Sequence, residues 1–134
     1  SPDGTKILFN RVVNPNSGGG QQIFVMDSVN GAGTQQLTNS GSNLLGDWSL
    51  DGSRIVFFKT GAGVDSESIY VMDSDGANVT ELTPGMAQHQ TWPIWSPDGN
   101  WIMYRSGDYI SVMRPDGSGK TTLNVEGRPR DWTP

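Results

Sequence analysis

Apolar residues along this chain come in short, uninterrupted runs: Ile7-Leu8-Phe9, Ile23-Phe24-Val25-Met26, Ile55-Val56-Phe57, Ile69-Tyr70-Val71-Met72, Ile102-Met103-Tyr104 and Ile110-Ser111-Val112-Met113. Runs of three or four residues are too short for helices, and their β-branched and aromatic content predicts strands. Because the apolar positions are consecutive, both faces of those strands are expected to be covered. After each second run comes a polar segment ending Leu37-Thr38, Leu82-Thr83 or Leu123-Asn124. A polar strand of that kind suits a wet outer edge that discourages further pairing.

The runs belong to a repeat. Ser1-Pro2-Asp3-Gly4, Ser49-Leu50-Asp51-Gly52 and Ser96-Pro97-Asp98-Gly99 each open a unit. In these segments Pro presets the second position of a type I turn and Gly completes the reversal. A second turn carries Gly31, Gly76 or Gly117, and each unit closes on a tryptophan, Trp48, Trp95 or Trp132. Every unit therefore reads as four antiparallel strands in up-and-down order. A sheet that hides both faces needs a sheet on each side, which radial stacking supplies. The predicted fold is all-β: a β-propeller with three four-stranded blades, rather than the alternative of an open sandwich of short strands. Blade 1 takes residues 1–38 and is completed by an inner strand from 125–134. Blade 2 takes 39–83 and blade 3 takes 84–124.

Composition narrows the chemistry. The 18 glycines and 8 prolines recur at fixed places and so punctuate turns. A net charge of −5 with no basic run gives counterion release little to act on, so nucleic acid is not an expected partner. Without cysteine there is no disulfide frame and no thiolate metal site. Insertion in a membrane is not expected, since no apolar stretch approaches the roughly 18 residues a spanning helix needs.

Trp95-Ser96-Pro97-Asp98-Gly99 with its following apolar strand, and Ile69-Tyr70-Val71-Met72-Asp73-Ser74-Asp75-Gly76, resemble the PD40 (WD40-like) repeat of TolB-type propellers. The resemblance covers the whole chain. It implies a six-bladed ring of which this chain supplies half, with the tryptophan strand innermost and the Thr-rich strand outermost. It also implies a periplasmic or extracellular setting. Similar blades occur in propeller domains that gate prolyl-oligopeptidase-like serine peptidases and in metal-dependent polysaccharide lyases, so fold alone does not assign an activity.

Few residues could carry catalysis. Asp116-Gly117-Ser118-Gly119-Lys120-Thr121 mimics the end of a phosphate-binding loop, but Arg114 stands where that loop needs glycine, and the segment falls in a strand-to-strand turn. His89 is the sole histidine, and no Gly-x-Ser-x-Gly turn presents a serine. Hydrolase, lyase and nucleotidase chemistry are therefore not expected, nor are a metal site or a cofactor. The candidate ligand or partner residues are His89, Gln90 and Trp92 at the channel mouth, with Arg130 beside them, and Asp47 and Asp131, which directly precede blade tryptophans and could meet around the axis. The alternative for the two carboxylates is that each satisfies local backbone or arginine donors. Trp48, Trp95 and Trp132 are expected to be buried between blades, and Asp3, Asp51 and Asp98 to hold the turns.

Up-and-down order puts the Ser-x-Asp-Gly and Asp-x-Asp-Gly turns on one face. The variable loops at 10–22, 40–46, 60–68, 85–91 and 125–129 gather on the other, the expected partner surface. The leading functional reading is a non-catalytic recognition or scaffold module for protein or peptide. Its alternatives are the propeller part of an enzyme and a half-propeller, excised or engineered, with no selected ligand. Thr133-Pro134 returns the repeat to the register of Ser1-Pro2, so two chains could exchange C-terminal strands and close six blades as a homodimer.

Overall fold

A computed structural model describes residues 1–14, 20–60 and 67–132. The middles of the loops at 10–22 and 60–68, and the Thr133-Pro134 pair, lie outside the described residues.

Three antiparallel sheets follow one another along the chain. The first joins β1 (Lys6–Val12), β2 (Gln21–Asp27) and β3 (Gln35–Gln36). The second joins β4 (Ser42–Trp48), β5 (Arg54–Thr60), β6 (Glu67–Asp73) and β7 (Thr80–Glu81). The third joins β8 (Gln90–Trp95), β9 (Ile102–Ser106), β10 (Tyr109–Met113) and β11 (Thr121–Glu126). Strand order is sequential in each, as a blade requires. The registers repeat as well: Trp48 faces Ile55 where Trp95 faces Ile102.

Each opening turn is held by one hydrogen-bonding scheme. The Gly4, Gly52 and Gly99 amides donate to the carbonyls of Ser1, Ser49 and Ser96 at 2.9, 2.8 and 2.9 Å. The serine hydroxyl donates to the aspartate two residues on and accepts the amide five residues on, as with Ser49 to Asp51 at 2.6 Å and Arg54 N–H to Ser49 at 2.9 Å. The aspartate in turn accepts the amide of the residue after the glycine, Ser53 to Asp51 at 3.0 Å. These donors, the serine hydroxyl foremost, lower the carboxyls of Asp3, Asp51 and Asp98 to about 2. The sequence motif is thus a side-chain cage that aims the strand after the turn, and it survives Leu50 in place of proline because its bonds come from serine and aspartate.

Two apolar clusters lie between the sheets. Ile23, Val25 and Leu37 of the first sheet pack on Ile55, Phe57 and Met72 of the second, with Leu8, Trp48 and Tyr70 at the margin. Val56, Phe58, Ile69, Val71 and Leu82 of the second pack on Trp95, Ile102, Tyr104 and Met113 of the third. Thus β5 alternates Ile55 and Phe57 toward one neighbour with Val56 and Phe58 toward the other, the physical reason its apolar run is continuous. Two turn glycines complete the contact. A Cβ on Gly76 would lie 2.8 Å from the Leu37 carbonyl oxygen, and one on Gly117 would lie 2.9 Å from that of Leu82. Both have positive φ, 91° and 82°, and each seats its turn on the outer strand of the preceding blade.

Two expectations need correction. The outer strand of the third sheet runs on to Glu126, beyond the boundary expected at Asn124, because a bulge in β10 carries the pairing to Tyr109 opposite Glu126. Val125 and Glu126 therefore belong to the third sheet, and 127–132 contain no assigned strand. Of the three tryptophans, Trp95 is buried while Trp48 and Trp132 are only half-buried. Trp95 lies against the second sheet, whose inner strand β4 is present, whereas beside Trp48 the first sheet has no inner strand among the described residues.

Candidate functional site

Among the described residues, the sequence's candidate site residues fall in two places. The first is the inner cleft, where a cavity of about 270 Å3 is lined by Pro2, Asp47, Leu50, Ile94, Arg130 and Asp131 among others. Asp47 accepts the Trp95 amide at 2.8 Å across the junction of the second and third sheets. Asp131 accepts the amide of Trp132 at 2.8 Å. Burial pushes the Asp47 carboxyl above the usual range despite the Trp95 and Trp48 amides, and the Asp131 charge adds to that push. The two carboxylates do share one cleft, as the sequence suggested, but each is engaged by backbone N–H groups. The chemistry of the cleft is that of a clamp between blades.

The second place is the loop face. A bulge breaks the pairing of β8 with β9 between Thr91 and Ile94, and Trp92 sits there with φ 57°. Leu45 occupies the same position in β4, with φ 50° and a bulge between Leu44 and Asp47. A left-handed backbone at a non-glycine residue costs on the order of 1–2 kcal/mol. Its recurrence in adjacent blades marks a device that re-aims the inner strand. Trp92 lies under the Arg128 guanidinium, 5.2 Å from the ring centre. His89 pairs through Nδ1 with Glu67 at 3.1 Å, and its carbonyl accepts the Gly107 amide at 3.0 Å. Arg105 and Asp108 pair at 2.6 Å. Exposed Leu45, Met86 and Tyr109 add apolar area.

His89 and Trp92 thus lie on the loop face as expected, but two candidates do not. Arg130 lies in the inner cleft with Pro2, Leu50 and Pro97, and the cation on Trp92 is Arg128. Gln90 is fully buried; its amide donates to the Gln88 carbonyl at 2.8 Å and the Ser106 hydroxyl at 3.1 Å. It ties the inner strand to β9 and presents nothing outward. Sequence reasoning missed Glu67, Arg128 and the bulges; the signals available were Glu67 at the far end of a neighbouring strand and the shared offset of Leu45 and Trp92 from the blade tryptophans. The phosphate-loop mimic is the expected turn, with Arg114 N–H donating to the Ser118 carbonyl at 2.8 Å and Gly117 N–H to that of Arg114 at 2.9 Å.

Known proteins share this fold. The TolB beta propeller domain (PD40) matches residues 1–131. The Tol-Pal system protein TolB of Geobacter sulfurreducens is 39% identical over 80 residues, which are 58% of this chain and 18% of that protein. An Agrobacterium fabrum protein is 30% identical over 140 residues, covering 100% of this chain and 44% of its own length. The crystal structure of TolB from Acinetobacter baumannii superposes with a TM-score of 0.71 at 29% identity, over 96% of this chain and 32% of that one. More distantly, at 16% identity, the fold is shared with an oligogalacturonate lyase in complex with manganese, TM-score 0.64. The chain spans less than half the length of each of these relatives. A match over nearly the full length, joined to three sheets of blade topology, places this chain in the TolB β-propeller family.

Proposed function

We propose that this chain is a non-catalytic recognition module, or a scaffold, that meets protein or peptide partners through its loop face. The observation that carries the reading is the pair of equivalent bulges. They spend backbone strain to present Leu45 and Trp92 at the loop ends of adjacent inner strands, with Arg128 stacked on the tryptophan. Aromatic and arginine side chains set among apolar neighbours are the usual anchors of protein interfaces. Several polar side chains elsewhere hold the fold: Asp47 bonds to Trp95, Gln90 to Ser106, and the turn aspartates to their serines. The Geobacter relative is a Tol-Pal system protein, a setting in which a recognition or scaffold module fits.

The reading is tested by selecting peptides from a random phage-displayed library on the immobilised chain. Selected peptides are expected to lose on the order of thirtyfold in affinity for Trp92→Ala, the effect of truncating an aromatic hot spot. Binding that ignores Trp92→Ala and Arg128→Ala but falls with Asp51→Ala would move the site to the turn face. The second reading, the propeller part of an enzyme, rests on fold alone, which is shared with a manganese-bound oligogalacturonate lyase, a prolyl endopeptidase and the tricorn protease at 16%, 16% and 17% identity. Manganese-dependent cleavage of oligogalacturonate, lost in His89→Ala, would establish it in place of the first.

A further inference from the structure

The turn between the two outer strands of each blade is built around one side chain. In the second and third blades it is an aspartate before glycine: Asp75 accepts the Ala77 amide and Asp116 the Ser118 amide, each at 2.9 Å. In the first blade Asn30 holds that place, and its Oδ1 accepts the Ala32 amide at 2.9 Å. The glycines correspond as well. Gly31, Gly76 and Gly117 donate to the carbonyls of Asp27, Asp73 and Arg114 at 3.0, 2.9 and 2.9 Å, all from positive φ. We propose that Asn30 is a site of spontaneous covalent modification: the Gly31 nitrogen closes on the Asn30 side chain and water opens the ring, leaving an acidic residue where the other two blades carry one. The inference is independent of what the loop face binds.

Three observations meet at this residue. The first is its neighbour, since of all the asparagines in the chain Asn30 alone precedes glycine. Ring closure needs the following backbone nitrogen to reach the side-chain carbon, and a glycine, having no Cβ, leaves that approach open and the backbone free to turn. Asn43, Asn78, Asn100 and Asn124 precede leucine, valine, tryptophan and valine. The second is access. Asn30 is exposed, and so are Asp75 and Asp116, although the turns that carry them rest on the Leu37 and Leu82 carbonyls of the preceding blade. Exposure thus belongs to the turn itself, and water reaches it.

The third observation is the Ala32 amide. As a nucleophile adds to the Asn30 carboxamide, negative charge collects on Oδ1, and the Ala32 N–H already stands at hydrogen-bond distance from that atom. A donor fixed where charge develops lowers the barrier. The group that must leave is unencumbered: Asn30 Nδ2 makes no hydrogen bond among the described residues, whereas Nδ2 of Asn10 is tied to the Asn43 carbonyl and that of Asn78 to Asp73.

The chemistry balances with water alone. Hydroxide takes the Gly31 amide proton, which gives up its bond to the Asp27 carbonyl. The nitrogen then bonds to Cγ of Asn30, the Cγ–Nδ2 bond breaks, and Nδ2 takes a proton from water and departs as ammonia. Water adding to the resulting imide at Cγ gives aspartate with the main chain unchanged. Addition at the main-chain carbonyl gives isoaspartate, whose main chain runs through the side-chain carbon. Aspartate can accept the Ala32 amide as Asp75 and Asp116 accept theirs, so the turn is kept. Isoaspartate lengthens the main chain inside the turn closed by the Asp27 N–H on the Ala32 carbonyl at 2.9 Å, and that closure is lost.

The test is to warm the wild-type chain at mildly alkaline pH, folded in buffer and unfolded in guanidinium chloride, and to follow both by anion exchange and by peptide mapping with mass spectrometry. One added negative charge per chain is expected, with ammonia released in equal amount. The fragment that carries residue 30 should become a mixture of aspartate and isoaspartate, the latter labelled by an isoaspartyl methyltransferase. Asn39, exposed but followed by Ser40, should stay asparagine in the folded chain. Because only the folded turn holds the Ala32 amide on Oδ1, the folded chain should convert at least as fast as the unfolded one. Asn30→Gln, which would have to close a six-membered ring, should show no charge shift, and Asn30→Asp should fold and melt as the wild type does. A folded chain that converts more slowly than the unfolded one, a charge shift that maps to another residue, or an Asn30→Asp chain that fails to fold would each overturn the proposal.

Discussion

Replacing Trp95 by alanine should be the most damaging single change among the tryptophans, and by a calculable margin over Trp48. Trp95 is 6% exposed and packs between the second and third sheets with Ile102 and Tyr104. A buried tryptophan removes about 150–250 Å2 from water, and its truncation in a core costs on the order of 3–5 kcal/mol, cavity included. The Arg54 guanidinium, 4.9 Å from the ring centre, adds about 0.5–1 kcal/mol. The Asp47 bond to the Trp95 amide survives, since it uses backbone. Trp48 is half-buried, so the same change there should cost about 2 kcal/mol in the single chain, scaling with the area lost. The difference, roughly 2 kcal/mol, is readable as a shift in urea midpoint at unchanged slope. A Trp95→Ala variant within about 1 kcal/mol of wild type, or one no worse than Trp48→Ala, would refute the packing assigned to the second junction.

Asp47→Ala should cost on the order of 1–3 kcal/mol by leaving the Trp95 amide unpaired, whereas Asp47→Asn, which keeps an acceptor and removes a charge held against burial, should be close to neutral at pH 7. Chemical denaturation of the two variants side by side decides it. Acid should weaken the fold in a defined window. The folded carboxyls of Asp3, Asp51 and Asp98 sit at about 2 against an ordinary 3.8, so the stabilisation they give is complete above about pH 4 and drains away as pH falls toward 2. Asp47 acts with the opposite sign, its raised pKa making protonation favour the fold, and Ser49→Ala should flatten the loss owed to Asp51. Gly76→Ala should destabilise by about 1–3 kcal/mol, since its Cβ would meet the Leu37 carbonyl from a positive φ; Gly4→Ala, with positive φ but open space, should cost less, and thermal melts of both give the comparison.

The fold was legible because three copies of one pattern cancel the ambiguity of any single copy. Ile55-Val56-Phe57 alone could be part of a buried helix; aligned with Ile7-Leu8-Phe9 and Ile102-Met103-Tyr104 behind the same Ser-x-Asp-Gly turn, it can only be the second strand of a blade. Long-range geometry was less accessible. That Asp47 reaches Trp95 depends on how far one blade is rotated from the next, and nothing in the spacing of the two residues encodes that angle. The bulges escaped for a related reason: Trp92 and Leu45 are ordinary strand residues by type, and their left-handed backbone is imposed by the inner strand's bend. Arg130 was expected beside Trp92 at the channel mouth, but Arg128 is the one that reaches the ring. Gln90 shows the converse error, since a polar residue beside a loop looked like surface and proved to be an internal tie.

The claim on which the functional account depends is that the loop face is where this chain meets other molecules. Backbone amide chemical shifts of the labelled chain, followed while a library-selected peptide is titrated in, test it most directly. The account predicts perturbations gathered at Leu45, Glu67, His89, Trp92, Gly107 and Arg128, with the turns at Asp3, Asp51 and Asp98 unmoved. Shifts concentrated on those three turns, with the loop face silent, would contradict it.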